Sequence, residues 1–403
     1  MRFATITRIL DLLTLDRART YAVLTALLGL TIAIALLLTT PDRIRNKVDF
    51  PAFYNAGRIL KDYPRGELYN SKLQQALYHE IAPISAAGKS LFFVYSPFFA
   101  LFFVPLAYLP YPLAFAVWVL ISIGLFTSGF RLVWTAASLP KEHFTNAFLI
   151  ALSFLPFYSW CLFIGQTSAF GFFWLALAVY LDRQSRFIAS GLALAMLLYK
   201  PTLLLLLVPM LFVTKRWRTL YGFAAGALLV GALSLVVIGF AGVPKYFQLL
   251  AFFSRAKASG LHPVVFDVDA VSFFTPLFGE RAWLIVLGLG IVAAPFLFRA
   301  WRRDRSHSFA TAITWSLVLN FYVVIYDATL IILAAVLSAG ALFRSRLPRG
   351  FSWLLLALFL LPWVARQSAQ EFGLQPMTLA LVAFGVYQLW STIKQPQIRT
   401  ANR

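Results

Sequence analysis

Acidic residues are scarce in this chain: 15 Asp and Glu stand against 35 Lys and Arg, and charged residues of both signs make up only 12% of 403. Soluble domains carry roughly a quarter charged residues. That shortage, with 61% hydrophobic residues, excludes an ordinary water-exposed fold and implies an integral membrane protein. Cysteine is almost missing, and the single Cys161 can form no internal disulfide. No CxxC, HExxH or zinc-type His/Cys spacing occurs, so a dedicated soft-metal site is not expected. No Gly-rich phosphate loop or nucleotide fingerprint is present either. No stretch alternates polar and apolar residues as a barrel strand does, and no fixed-period repeat appears. The expected fold is all-α: a single polytopic membrane domain over 1–403 with about 10–12 helices, some too short to cross alone.

The net charge of +20 would suit a nucleic-acid binder, but its distribution argues against one. Lys and Arg gather in short connections between apolar spans, which is the positive-inside pattern of membrane topology. The basic stretches are the N-terminus, Asp182–Arg186, Lys215–Arg218, Arg299–Arg305, Arg344–Arg349 and the tail from Lys394. Placing them in the cytoplasm puts Pro41–Ser90, Ala241–Ala270, the Tyr326-Asp327 turn and Arg366–Gly373 outside. Helices near 217–240, 283–298, 309–326, 328–343, 351–365 and 376–393 then alternate. Residues 1–20 read as a helix lying on the inner surface, since Ile6, Ile9, Leu10 and Leu13 recur at helical spacing among arginines. The first apolar run, Tyr21–Thr39, lacks a small-x-small cleavage site and reads as a span rather than a removable signal. Phe187–Val213 has the length of one span, yet basic clusters flank both ends. Two half-helices turning at Lys200-Pro201 would satisfy both signals. Gly165-Gln166-Thr167-Ser168 likewise breaks 146–181, and charge alone leaves the parity between Arg131 and Arg186 open.

Few residues are left to do chemistry. Asp11, Asp16, Asp182 and Asp304 lie among arginines and read as counter-charges. Asp49, Asp267, Asp269 and Asp327 lie near membrane level on the outer side, where an acid is costly unless paired or functional. Asp49 opens a stretch in which Phe53, Ala56, Gly57 and Leu60 share one helical face, the pattern of an amphipathic helix at the outer interface. An Asp just before Phe-Pro is also a typical helix cap, so Asp49 reads as a cap, a general base or both. As a cap it would have a lowered pKa. Asp327, at the head of the apolar run Ala328–Leu337, carries the same ambiguity. Lys200, within an apolar run, needs a partner or an anionic ligand unless it snorkels to the surface. His262, Lys245, Arg255 and Lys257 share the second outer loop with Asp267 and Asp269, and Gln166 could bond a sugar hydroxyl or close a helix end.

In order along the chain, Val48-Asp49-Phe50 leading to Tyr54, Ala56, Leu60, Gly66 and Leu68-Tyr69 resembles the first outer loop of glycosyltransferase family 87. Tyr95-Ser96-Pro97 with Pro105-Leu106 resembles that family's Tyr-Pro-Pro and Pro-Leu, with Ser96 departing at the first Pro. Gly165-Gln166-Thr167 matches its Gly-Gln element without the Asn often found after it. Gly191 through Lys200-Pro201 and the later Tyr326-Asp327 complete a resemblance covering roughly 48–330.

The resemblance implies a GT-C fold and an enzyme that uses a polyprenyl-phosphate sugar donor, with mannose the leading sugar. The acceptor would be a lipid or glycan on the outer face of a bacterial cytoplasmic (inner) membrane, with inversion expected at the anomeric carbon. Asp49 would take the base position. Lys200, Arg58 and Arg255 would bind donor phosphate, and Tyr54, Gln166, His262 and Asp327 would contact substrate. The reading calls for no cofactor and no nucleic acid, and it neither requires nor excludes a metal. The rival is a transporter or lipid flippase, which should show ionisable pairs along a central path and symmetry between halves.

Overall fold

The structure, a computed structural model, describes residues 49–82, 91–258, 266–303, 305–342 and 349–394, with isolated positions between 17 and 31. The expected N-terminal interfacial helix, most of the first span and His262 lie outside the described residues. Among those described, every regular element is helical. In chain order they are α1 (Phe50–Asp62), α2 (Ser71–Ile81), α3 (Pro97–Ala100, continued by 3-10 turns to Tyr108), α4 (Tyr111–Ala136) and α5 (Phe144–Leu152, followed by a π-helical stretch Pro156–Phe163). Then come α6 (Ser168–Arg183), α7 (Phe187–Ala195), α8 (Leu207–Val213), α9 (Trp217–Ala258), α10 (Ala270–Phe278) and α11 (Ala282–Arg303). The chain closes with α12 (Arg305–Val318), α13 (Ile331–Leu342), α14 (Arg349–Phe372) and α15 (Pro376–Lys394).

Four helical stretches are long and apolar enough to cross a membrane, or five if α5 and its π-helical continuation, bent by 60°, form one span. The other apolar helices are shorter. A 13-residue piece covers only about 20 Å of a hydrocarbon core roughly 30 Å thick, so these pieces end within the protein. Their breaks fall where the sequence forces them, at Lys200-Pro201 and in the extended segment after α12. Broken backbone at such depth is tolerated only where protein covers it. Asn320 supplies part of that cover by donating to the Thr202 carbonyl at 2.8 Å, and the Ser316 hydroxyl accepts from Leu206 N at 3.0 Å.

Polar contacts sort the connections into two ends. Arg216 bonds Asp182 at 3.1 Å and Ser308 at 3.0 Å, joining two of the basic stretches to the start of α12, just after a third. Beyond the far end of the apolar part of α9, Lys245 pairs with Glu67 at 2.7 Å and so joins the two expected outer loops. Nearby, Val268 N donates to Val323 O at 2.7 Å and Thr378 donates to the Val268 carbonyl at 2.9 Å. The paired starts of α7 and α9 settle the course of 187–213. A Cβ on Gly191 would lie 2.0 Å from the Thr219 carbonyl, and one on Gly222 would lie 2.2 Å from that of Ile188. The two helices therefore run parallel in backbone contact from one end, so the chain between them must go in and return, reversing at Lys200. The bent α5 unit and α6 make a similar out-and-back pass, reversing at Gly165-Gln166, which gives the even parity that charge left open.

Two expectations about the outer segments change. α1 is not a one-sided amphipathic helix, because Phe50 through Gly57 and Ile59 are all buried. α1 thus packs into the protein, whereas α2 is one-sided, with Gln74, Leu77 and Tyr78 buried and Lys72, Gln75 and Glu80 exposed. The second outer segment is helical over its first half, since α9 runs on to Ala258 past a break at Gly239 (φ 63°, ψ 175°).

Candidate active site

Asp49 precedes α1, but its carboxylate makes no cap bond, and its own backbone is already helical (φ −93°, ψ −15°) where a capping residue would be extended. The amides of Asp49 and Phe50 both donate instead to the Ile164 carbonyl, at 2.8 and 3.2 Å. This leaves the carboxylate to accept a hydrogen bond from Gln166 Nε2. Gly165 makes that approach possible. Its φ is +81°, and a Cβ there would sit 2.7 Å from Cβ of Phe50. Trp118 Nε1 holds the Gly165 carbonyl at 3.1 Å, and Gln166 N donates to Trp160 O at 3.0 Å. Burial raises the Asp49 pKa from 3.8 to about 6, against a smaller lowering by the Gln166 hydrogen bond. Such a group is ionised at neutral pH and more basic than a surface carboxylate, the reverse of the lowered pKa a cap would have had.

Lys200 has its partner. The ammonium lies 2.5 Å from Asp327 Oδ2, both side chains are buried, and the rings of Tyr326 and Tyr322 stand 4.8 and 5.1 Å from Nζ. Two aromatic faces and one carboxylate replace the water this cation has lost. Asp327 also braces its own turn, accepting from Val324 N at 3.1 Å, so one carboxylate serves both the turn and Lys200.

Tyr95 links the two clusters. Its hydroxyl lies 3.4 Å from Gln166 Oε1 and within bonding reach of Tyr326 and Thr167, and its ring stacks on Tyr199 (5.8 Å, 3° between planes). Ser96, the departure from the family's Pro, donates from Oγ to the Leu198 carbonyl at 2.5 Å and from N to the Tyr199 carbonyl at 3.3 Å. A proline could make neither bond. Asp269 caps α10 by accepting from Ser272 N at 2.8 Å and reaches Val323 N at 3.0 Å, while Asp267 accepts from Ser272 Oγ at 3.3 Å. Both acids thus brace the segment that delivers Tyr326 and Asp327. Among the described residues no group of three or more His, Cys, Asp or Glu is arranged to hold a metal.

Asp49, Gln166, Lys200 and Asp327 are therefore brought together. Tyr54 is engaged elsewhere, its hydroxyl donating to the Leu109 carbonyl at 2.8 Å, which ties α1 to the start of α4. Arg58 pairs with Glu80 at 2.9 Å, between α1 and α2. The Arg255 side chain and His262 lie outside the described residues. Sequence reasoning quoted Tyr95 only as part of a motif and passed over Tyr199 and Tyr322. The available signal was the density of tyrosines beside Lys200 and Asp327, which reads as packing until the segments are seen together.

Residues 93–325 match the model of glycosyltransferase family 87. No curated protein and no solved structure matches the chain. The matched region covers more than half of the chain and contains Tyr95, Gln166 and Lys200, while Asp49 and Asp327 lie outside it at either side. With its apolar helices and this match, the chain belongs to glycosyltransferase family 87 and is a membrane glycosyltransferase.

Proposed function

We propose that the protein transfers a hexose, with mannose the first candidate, from a polyprenyl-phosphate donor to a lipid or glycan acceptor on the extracytoplasmic face of a bacterial cytoplasmic membrane. The observation that carries this reading is the Asp49–Gln166 contact: a carboxylate freed from its helix, held by one amide and raised in pKa. In the reaction the acceptor hydroxyl oxygen bonds to the anomeric carbon while the bond from that carbon to the phosphate oxygen breaks. The hydroxyl proton passes to Asp49, and the electron pair stays on the departing polyprenyl phosphate, which gains one negative charge. Attack opposite the leaving group inverts the anomeric centre. Lys200 is the cation best placed to meet the developing charge, because Tyr95 and Gln166 connect its cluster to Asp49. Arg58, Arg255 and His262 remain secondary proposals for donor or substrate contacts, and Tyr54 supports the site through Leu109. Purified protein supplied with a panel of polyprenyl-phosphate sugars should transfer one of them, mannose being tried first. Turnover with a nucleotide sugar and none with any lipid-phosphate sugar would refute the donor class.

A further inference from the structure

A second feature, an apolar hollow flanked by two arginines, lies where α7 and α9 begin. Ser185, Arg186, Phe187, Ile188, Ala189 and Arg218 line an open depression of about 290 Å³. It forms where α7 and α9 begin side by side. Their glycines bring the helices into backbone contact one turn further on, leaving the hollow at their starts. Both arginines are exposed, and neither has an acidic partner among the described residues, the nearby Asp182 being taken by Arg216. Ile188 (57% exposed) lines the hollow, and Trp217 (48%) and Tyr221 (69%) are exposed on α9 beside Arg218 and within one turn of it. The depression thus lies at the start of α9, a helix long and apolar enough to cross a membrane.

We infer that this hollow binds the headgroup of an anionic phospholipid of the cytoplasmic leaflet, its phosphate between Arg186 and Arg218 and its acyl chains along Ile188 and Tyr221. A free phosphate would satisfy the arginines but would leave the apolar flank uncovered. The combination of two unpartnered cations with an apolar flank selects a charged lipid. Basic side chains near a membrane surface contribute roughly 1 kcal/mol each toward anionic lipid, so losing both should weaken binding by at least about tenfold.

The test uses the full-length protein in neutral detergent, titrated with phosphatidylglycerol and read by native mass spectrometry. The wild type and a charge-matched control, Lys141→Gln with Arg302→Gln, should each retain one tightly bound anionic lipid. Arg186→Gln with Arg218→Gln should lose it at the same lipid concentration. Phosphatidylcholine should not replace it, and millimolar inorganic phosphate should not displace it. The inference fails if the Arg186/Arg218 variant retains the lipid like wild type or the control loses it equally. It also fails if phosphatidylcholine binds as well, or if inorganic phosphate alone occupies the site.

Discussion

At the residue scale, Asp49 shows how a local pattern can be outbid by a distant contact. Asp-Phe-Pro reads as a cap, and nothing nearby in the sequence says otherwise. The Ile164 carbonyl takes the amides of Asp49 and Phe50, Ala52 N turns to the Asp49 carbonyl, and Gln166 takes the carboxylate. Two predictions follow from the raised pKa of Asp49. The folded protein favours the protonated acid, so the stability this group contributes is present below an unfolded carboxyl's pKa of 3.8 and lost as pH rises through about 6. Asp49→Asn should therefore melt higher than wild type at pH 7–8, with the difference closing below pH 4, as followed by thermal unfolding in detergent. In the proposed mechanism Gln166 positions Asp49, and its bond lowers the Asp49 pKa. Gln166→Leu should reduce kcat by about tenfold and move the acid limb of the pH–rate profile upward, whereas a purely structural loss would leave that limb in place.

At the scale of elements, the site is made where helices break. Lys200 was legible as a problem, because an ammonium in an apolar run demands a partner. Its partner, 127 residues away, was not legible, because no sequence pattern couples the two breaks. Asp267 and Asp269 share a loop in the sequence, yet Asp269 caps α10 and holds the extended segment before Tyr326 while Asp267 accepts from Ser272 Oγ, contacts that appear only once that segment lies beside them. Removing one member of the Lys200–Asp327 pair should be costly. Asp327→Asn leaves a buried ammonium unpaired and should destabilise by about 3–5 kcal/mol. Lys200→Met with Asp327→Leu should recover most of the melting temperature, since an apolar pair can replace a buried ion pair. That double variant should remain inactive in transfer, because the cation proposed for the donor phosphate is gone.

At the scale of the whole molecule, the spacing of apolar runs located most of the helices after 217, although the expected 309–326 helix ends at Val318 and α10 falls where none was expected. What they could not supply was how far each piece reaches, since reach depends on which broken ends find cover in other segments. The buried Lys200–Asp327 pair is a feature the transporter reading would also have claimed, and family membership decides for the glycosyltransferase. The proposed sidedness is testable with single cysteines, because Cys161 is fully buried and should give little background. In sealed right-side-out vesicles, Tyr63→Cys should react with an impermeant maleimide and Lys141→Cys should not. The central claim is that Asp49 accepts the acceptor's proton during transfer from a lipid-phosphate sugar. Its most direct test is the pH dependence of transfer by purified wild type and Asp49→Asn. The wild-type rate should fall below about pH 6, and Asp49→Asn should be slower by about 10²–10⁴ with that acid limb gone. Wild-type rates from a normally folded Asp49→Asn protein would contradict it.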